Sequence, residues 1–207
     1  MDADAEVSGL FRLYGSYNAI IEANIEDLRD LAEISDFSAD LAGMLSRIAR
    51  YIYREKARRV ARISDYRAAG EYFKMLYLGE RNEIMYLLSL GLQGEIINTE
   101  IVQEGTVDET NFHVRRILER ALQMEAAAIV LSHNHPGGTA RISYGDYQCT
   151  SILSHAAYDN EIVLIDHIVI ADGKAHSMAR WGEMPEQREP GGMLGGLWRN
   201  WCDRDEL

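Results

Sequence analysis

Apolar positions in the first third of the chain recur every three or four residues, which is the spacing of amphipathic helices. Turn-forming residues interrupt this pattern over Ile34–Ser38. Ser64 is a candidate N-cap for a further helix from Asp65 to about Leu78. The sequence therefore predicts several short helices here, one of them continuing toward Arg59. The apolar positions that carry the pattern are Ile20, Ile21, Ile25, Leu28, Leu41, Leu45, Ile48 and Ile52.

After Leu78 the pattern changes to short apolar runs that alternate with helical stretches. Ile84–Leu90 and Glu95–Val102 flank a turn at Gly91–Gly94, which predicts a β-hairpin. Ala127–Ser132 is apolar on both faces, as in a central strand. Strands that alternate with helices predict an α/β domain. The other predicted elements are helices over His113–Met124 and about Tyr144–Tyr158, and strands over Ile162–Ile165 and Ile168–Ile170, which are alternatively one bent strand.

These patterns divide the 207 residues into three parts. We predict a helical N-terminal region over 1–62, an α/β domain over 63–183, and a flexible C-terminal tail over 184–207. Prolines and glycines in the tail interrupt any regular element. Trp198 and Trp201 are alternatively the residues that dock this tail on a partner or on the domain itself.

Charge and composition narrow the functional class. Lys and Arg number 21 against 33 Asp and Glu, a net charge of −12, which argues against nucleic-acid binding over the whole surface. A basic stretch over Arg47–Arg67 is either a solvated helix face or a local DNA contact. No apolar run reaches the ~20 residues of a membrane span, and the acidic N-terminus lacks a secretory pattern. With only Cys149 and Cys202, we expect a reducing, cytoplasmic compartment.

The candidate chemistry follows the buried strand. His133 and His135 are two apart, so both imidazoles point to the same face at the strand end, where Pro136 follows. Ser143 is a candidate N-cap, and Asp146 in the first helical turn can reach back toward the imidazoles. Two histidines and one carboxylate, with a position left for water, are the ligands of a catalytic zinc site. Alternatively, the histidines are a packed pair and Ser143-x-x-Asp146 is only a helix cap.

The whole pattern resembles a known family. His133-x-His135-Pro136, six residues, then Ser143-x-x-Asp146 resembles the motif of the JAMM, or MPN-plus, metallopeptidases. The resemblance implies a JAB/MPN-like mixed sheet flanked by helices, one Zn²⁺ per chain on His133, His135 and Asp146, and hydrolysis of a peptide or isopeptide bond. The segments that resemble the RadC-like branch are Gly105-Thr106, His113–Arg115, Arg120–Leu122, Ser132–Pro136 and Asp166–Gly173.

The resemblance also implies a general base on an early strand. Glu83 fits the family pattern best, with Glu100 and Glu104 as alternatives on a neighbouring segment. A carboxylate that does not bind zinc is needed to take a proton from the attacking water and pass it to the leaving amine. Ser143 is, by resemblance, a donor to that water or to the oxyanion, although its capping role requires no catalysis.

The N-terminal region resembles the helix-hairpin-helix unit of RadC-like chains in a degenerate form. Leu31–Leu41 occupies the place of the hairpin, but Asp36 and Ser38 stand where glycines are expected. A carboxylate there repels phosphate, and side chains block a close backbone approach. We therefore expect weak DNA binding or none.

The sequence as a whole predicts a zinc-dependent metallopeptidase or isopeptidase. The alternatives are a DNA-associated RadC-like repair or recombination module and a zinc-binding scaffold without turnover. His167, beside Asp166, is either a support for a zinc ligand or part of a hydrogen-bonded core pair. The motifs specify neither the substrate nor the oligomeric state.

Overall fold

The structure is a computed structural model that describes residues 3–15, 17–23, 28–29, 34–105, 114–136, 138–187 and 190–202. The chain forms two units, Met1–Arg59 with Met75–Arg81, and Val60–Lys74 with Asn82–Leu207. The domain boundaries expected from the sequence, after residues 62 and 183, remain predictions. In chain order the elements are α1 (Ala3–Tyr14), α2 (Tyr17–Glu22), α3 (Asp36–Arg58), α4 (Tyr66–Tyr77), β1 (Ile84–Leu90), β2 (Ile96–Glu104), α5 (Val114–Gln123), β3 (Ala128–Asn134), α6 (Tyr144–Tyr158), β4 (Val163–Ala171), β5 (Lys174–Ser177), α7 (Met178–Trp181) and α8 (Gly192–Cys202).

The helices of the first unit are joined at the start of α3. Ser35 caps this helix, because its hydroxyl accepts a hydrogen bond from the Ser38 backbone N–H at 3.2 Å. The Glu6 carboxylate of α1 accepts from the Ser35 backbone N–H at 3.3 Å and from the Ser38 hydroxyl. The predicted interruption over Ile34–Ser38 was therefore too long, since α3 begins at Asp36 directly after its cap.

The predicted helix-hairpin-helix is only partly described. Its Leu31–Glu33 segment, like the predicted helical position Ile25, lies outside the described residues. Asp36 stands in the first turn of α3, with its side chain 92% exposed and its carboxylate 4.0 Å from the Arg29 guanidinium. An exposed carboxylate at this position is consistent with the expected loss of phosphate binding.

The sheet that carries the candidate site has five strands in the order β2-β1-β3-β4-β5. Only β3 and β4 are parallel, and the other neighbours are antiparallel. This confirms the expected mixed sheet flanked by helices. The sequence left open whether one strand or two follow α6. The structure has a single strand there, β4, over Val163–Ala171. Its register against β3 shifts between Ile129 and Val130. Strand β5 and helix α7 were not predicted.

Helices cover both faces of the sheet. Asp166 and His167 are consecutive in β4, so their side chains point to opposite faces. The His167 ring contacts Thr150 of α6, whereas the Asp166 carboxylate contacts Trp201 of α8. The two side chains do not bond each other, and the hydrogen bond that joins these buried residues runs from the His167 backbone N–H to the Asp166 carboxylate. Within the described ranges, every helix falls short of the length or the hydropathy that a membrane span requires.

The prediction of a flexible tail without regular structure was wrong for its last described part, which forms α8. Its apolar residues Leu194, Leu197 and Trp201 follow helical spacing and are all buried, and burial of such a stripe stabilises a helix of low intrinsic propensity. Gly195 does not interrupt the helix but lies within α8, where its missing side chain allows close packing. A Cβ on Gly195 would lie 2.5 Å from the Pro190 carbonyl oxygen.

Trp201 anchors α8 through a buried carboxylate. Its indole Nε1 donates to Asp166 Oδ2 at 2.8 Å, and both side chains are fully buried. Asp166 also accepts from the Ser177 hydroxyl at 2.5 Å and from the backbone N–H groups of Ala179 and His167 at 3.0 and 2.8 Å. Burial raises the pKa of the Asp166 carboxyl to about 6, although these four donors oppose the shift.

Trp201→Phe is therefore expected to lower the free energy of unfolding by about 1–3 kcal/mol, because it keeps most of the apolar ring but leaves Asp166 one donor short. Urea unfolding measures this as a shift in midpoint. Trp198→Phe, on the same helix but half-buried, is the control and should cost less than about 1 kcal/mol. Equal effects of the two variants would contradict the role of the indole N–H.

Candidate metal centre

Strand β3 delivers both histidines to one point. All its residues from Ala128 to Asn134 are buried, and His133 is fully buried near its end. His135 follows directly after the strand and is partly exposed. The Nε2 atoms of His133 and His135 lie 2.9 Å apart. The predicted placement of both imidazoles on one face therefore brings two ring nitrogens together.

The loop after Pro136 orients the His135 ring. His135 Nδ1 lies 2.9 Å from the Thr139 carbonyl oxygen, which can only accept a hydrogen bond. The hydrogen of a neutral His135 ring is thus assigned to Nδ1, which leaves the Nε2 lone pair directed at His133 and available to a metal.

Asp146 divides its two carboxylate oxygens between structure and site. Oδ2 accepts from the Ser143 backbone N–H at 2.8 Å, and the Ser143 hydroxyl accepts from the Asp146 backbone N–H at 3.1 Å. These reciprocal bonds are a capping box at the start of α6. Oδ1 lies 3.3 Å from His133 Nε2. The predicted cap is thus present, and it aims the second oxygen at the histidine pair.

Glu83 reaches the same point from the neighbouring strand. Met85 of β1 pairs with His133 of β3, so Glu83, just before β1, lies beside the end of β3. The ligand atoms of Glu83, His133 and His135 all lie within 4.8 Å of one another. The side chain of Glu83 is half-buried.

Asn134 holds this strand end and was missed by the sequence reasoning. Its Nδ2 donates to the Asn82 carbonyl at 3.0 Å, and its Oδ1 accepts from the Ile84 backbone N–H at 2.8 Å. One amide therefore clamps the residues on both sides of Glu83. A buried polar residue between the two histidines was the available signal.

A pocket of about 340 Å³ opens on the cluster. Glu83, His135 and Asp146 line it together with Ser143, Tyr144 and the buried Cys149. The alternative bases are placed elsewhere. Glu100 is ion-paired to the Arg120 guanidinium at 2.7 Å, and Glu104 is an exposed residue at the end of β2.

The protonation states suit metal binding. Burial lowers the pKa of His133 to about 3, with His167 and His135 adding to the effect and Asp146 opposing it. His133 is therefore neutral at physiological pH. Burial alone raises the pKa of Asp146, but His133 and the hydrogen bonds from Ser143 outweigh it, so the net shift is downward.

His133 also has a partner behind it. Its Nδ1 lies 2.8 Å from His167 Nε2, and His167 Nδ1 lies 2.7 Å from the Thr150 hydroxyl. His167 therefore supports a predicted ligand, as one of its two predicted roles required. Thr150 was not anticipated from the sequence. Its position, one helical turn after Asp146, was the signal.

The mixed sheet and the cluster at the end of β3 together define a domain of the JAB/MPN class. A family model described as the RadC-like JAB domain matches residues 63–183, and the chain belongs to this family.

Similar proteins carry the name UPF0758 protein. The one from Stutzerimonas stutzeri is 30% identical over 172 residues, which cover 83% of this chain and 76% of the relative. The one from Vibrio cholerae is 32% identical over 176 residues, covering 84% and 77%. The one from Burkholderia mallei is 29% identical over 181 residues, covering 87% and 65%. These names specify no reaction.

Proposed function

We propose that this RadC-like JAB domain is a zinc-dependent hydrolase that cleaves an amide bond in a peptide or isopeptide substrate. The observation that carries the proposal is the convergence of two imidazole nitrogens and two carboxylates at one pocket. Bringing titratable groups of this kind together away from water costs free energy, and such clusters concentrate at functional sites.

The donor set suits Zn²⁺. Imidazole nitrogen and carboxylate oxygen are common zinc ligands, and three protein ligands leave a position for substrate or water. His133 Nε2, His135 Nε2 and Asp146 Oδ1 are the atoms that would hold the ion. When bound, zinc lowers the pKa of water and polarises a carbonyl group as a Lewis acid.

Glu83 is the residue proposed to move the proton. The reaction joins a water oxygen to the carbonyl carbon, breaks the C–N bond and transfers one water proton to the leaving nitrogen. A carboxylate on the pocket wall can accept that proton and then donate it to the amine. The Ser143 hydroxyl, on the same wall, is a candidate donor to the developing oxyanion, in addition to its role in the capping box.

Cleavage is tested with the zinc-loaded chain and mixed peptide and isopeptide-linked substrates, with new amino termini identified by mass spectrometry. We expect products from the wild-type protein, loss of products with a chelator, and recovery when zinc is restored. Zinc binding without cleavage of any substrate would favour the scaffold without turnover.

DNA association is the second candidate, because basic residues cluster over Arg47–Arg67. Carboxylates already neutralise part of this charge: Arg54 pairs with Glu80, Arg58 with Glu55 and Arg62 with Glu95.

We expect duplex DNA to bind no more tightly than about 1 µM at physiological salt and to lose affinity steeply as salt rises, because only phosphate contacts remain. Fluorescence anisotropy across a salt series measures this. Tight binding that tolerates salt would contradict the prediction and favour the DNA-associated role.

A further inference from the structure

A chain of buried hydrogen bonds runs from the candidate ligand His133 back to the main chain of Asp146. His133 Nδ1 lies 2.8 Å from His167 Nε2, and His167 Nδ1 lies 2.7 Å from Thr150 Oγ1. Thr150 Oγ1 lies 2.6 Å from the Asp146 carbonyl oxygen. The side chains of His133, Thr150 and His167 are each 0% exposed, so water does not complete these bonds.

The last acceptor gives the chain a direction. A carbonyl oxygen only accepts, so the Thr150 hydroxyl hydrogen is directed at Asp146 O. The Thr150 oxygen is then the acceptor for an Nδ1–H of His167. His167 Nε2 therefore carries a lone pair and accepts from an Nδ1–H of His133. The remaining nitrogen of His133, Nε2, is left without a hydrogen.

The short contact between Thr150 and the Asp146 carbonyl disfavours the opposite direction. With every donor reversed, the Thr150 and Asp146 oxygens would face each other at 2.6 Å with no hydrogen between them. The Nε2–H of His133 would then donate to His135 Nε2 at 2.9 Å, with Asp146 Oδ1 at 3.3 Å, and this hydrogen would occupy the position that a metal held by these atoms needs. The sulfur of Met178, 3.7 Å from Thr150 Oγ1, is a weak acceptor and does not compete with the carbonyl.

We infer that Thr150 and His167 are positioning residues that fix the tautomer of His133, so that its Nε2 presents a lone pair to the metal. The inference rests on the proposed function only in naming zinc as that metal. Asp146 then has two roles. Its carboxylate oxygen Oδ1 would bind the metal, and its backbone carbonyl sets the direction of the hydrogen bonds by accepting from Thr150. Partners that orient a metal-bound histidine through its other ring nitrogen typically alter metal affinity by about 10–100-fold.

Thr150→Val tests the direction of the hydrogen bonds while leaving the packing of the side chain nearly unchanged. Valine has nearly the shape of threonine but cannot accept from His167 Nδ1. The His167 hydrogen is then free to move to Nε2 and to point at His133 Nδ1, which places the His133 hydrogen on the nitrogen that the metal needs. Thr150→Ser keeps the hydroxyl. Ser154→Ala removes another buried hydroxyl one turn further along α6 and serves as the control.

Two measurements test the inference. The first is the ¹⁵N spectrum of the histidine rings in the metal-free chain at about pH 8, where neutral imidazoles report their tautomers. In the wild-type protein and in Thr150→Ser we expect protonated Nδ1 and unprotonated Nε2 on both His133 and His167. In Thr150→Val we expect the hydrogen of His133 to shift toward Nε2.

The second measurement is zinc affinity by competition with a chelator. Thr150→Val should weaken zinc binding by about 10–100-fold, whereas Thr150→Ser and Ser154→Ala should stay within about threefold of wild type. Wild-type spectra with His167 protonated at Nε2 would overturn the inference, as would wild-type zinc affinity in Thr150→Val. Since the spectra need neither zinc nor turnover, a chain with the expected tautomers but no hydrolysis would refute the proposed function alone.

Discussion

His135→Ala is expected to reduce bound zinc from about one ion per chain to well below half an ion per chain. The substitution removes one of the two proposed imidazole ligands, and the 2.9 Å approach of its Nε2 to that of His133 is lost. Changes to residues that merely support a ligand cost about 10–100-fold in affinity, so removal of a ligand itself should cost more. Elemental analysis of the purified protein after dialysis measures the zinc content.

The fold should survive this change. His135 follows the buried strand rather than lying within it and is partly exposed, so alanine leaves the sheet and its core in place. Far-UV circular dichroism and the thermal midpoint should remain near wild type. His155→Ala is the matched control, because His155 is an exposed histidine that bonds only the Ser151 carbonyl on its own helix among the contacts described. Full zinc retention in His135→Ala would contradict the ligand assignment.

The sheet was predictable because β1 is apolar except for Ser89 and β3 is apolar over 128–131. Ile84–Leu90 and Ala128–Asn134 are buried throughout, which is why the sequence shows them without alternation. Helix α8 was not predictable, because local propensity argues against it. Gly195 allows a close approach to Pro190, and the helix is stabilised by buried residues such as Trp201, whose partner Asp166 is 35 residues away in the chain.

The sequence predicted those parts of the candidate site that depend on residues close together in the chain. The spacing of His133 and His135 and the cap formed by Ser143 and Asp146 are set by one strand end and one helix start. The roles of Asn134 and Thr150 depend on which strand lies beside β3 and on which face α6 packs against. Pairings of that kind join residues such as Ile84 and Asn134, 50 positions apart, and no local pattern encodes them.

Glu83 and Asp146 both place a carboxylate near the histidine nitrogens. The Glu83 carboxylate lies in one cluster with His133 and His135, while Asp146 approaches His133 at 3.3 Å. Either carboxylate is near enough to the nitrogens to be the third ligand, and the other is then the proton acceptor. The capping box favours Asp146 as the ligand, because the Ser143 backbone N–H holds one carboxylate oxygen while the Ser143 hydroxyl holds the Asp146 backbone N–H. Glu83 directly precedes β1 and lines the pocket.

Glu83→Gln is therefore expected to abolish most hydrolysis while leaving zinc bound. Glutamine keeps the shape of the side chain and its hydrogen-bonding capacity but accepts no proton at neutral pH. General-base catalysis is typically worth ~10²–10⁴-fold, and kcat for any substrate found should fall by that factor, with zinc content near one ion per chain. Glu100→Gln is the control, since Glu100 pairs with Arg120 away from the pocket and its loss should leave kcat within a few-fold of wild type.

The two readouts together distinguish the possible roles. Loss of zinc in Glu83→Gln would make Glu83 a ligand and leave Asp146 as the candidate base. Full activity in Glu83→Gln with loss in Glu100→Gln or Glu104→Gln would place the base on β2, one strand further along the hairpin. Full activity in all three variants would mean that the hydrolysis needs no carboxylate as proton acceptor, and the likeness to JAMM chemistry would then extend only to the ligands of the metal.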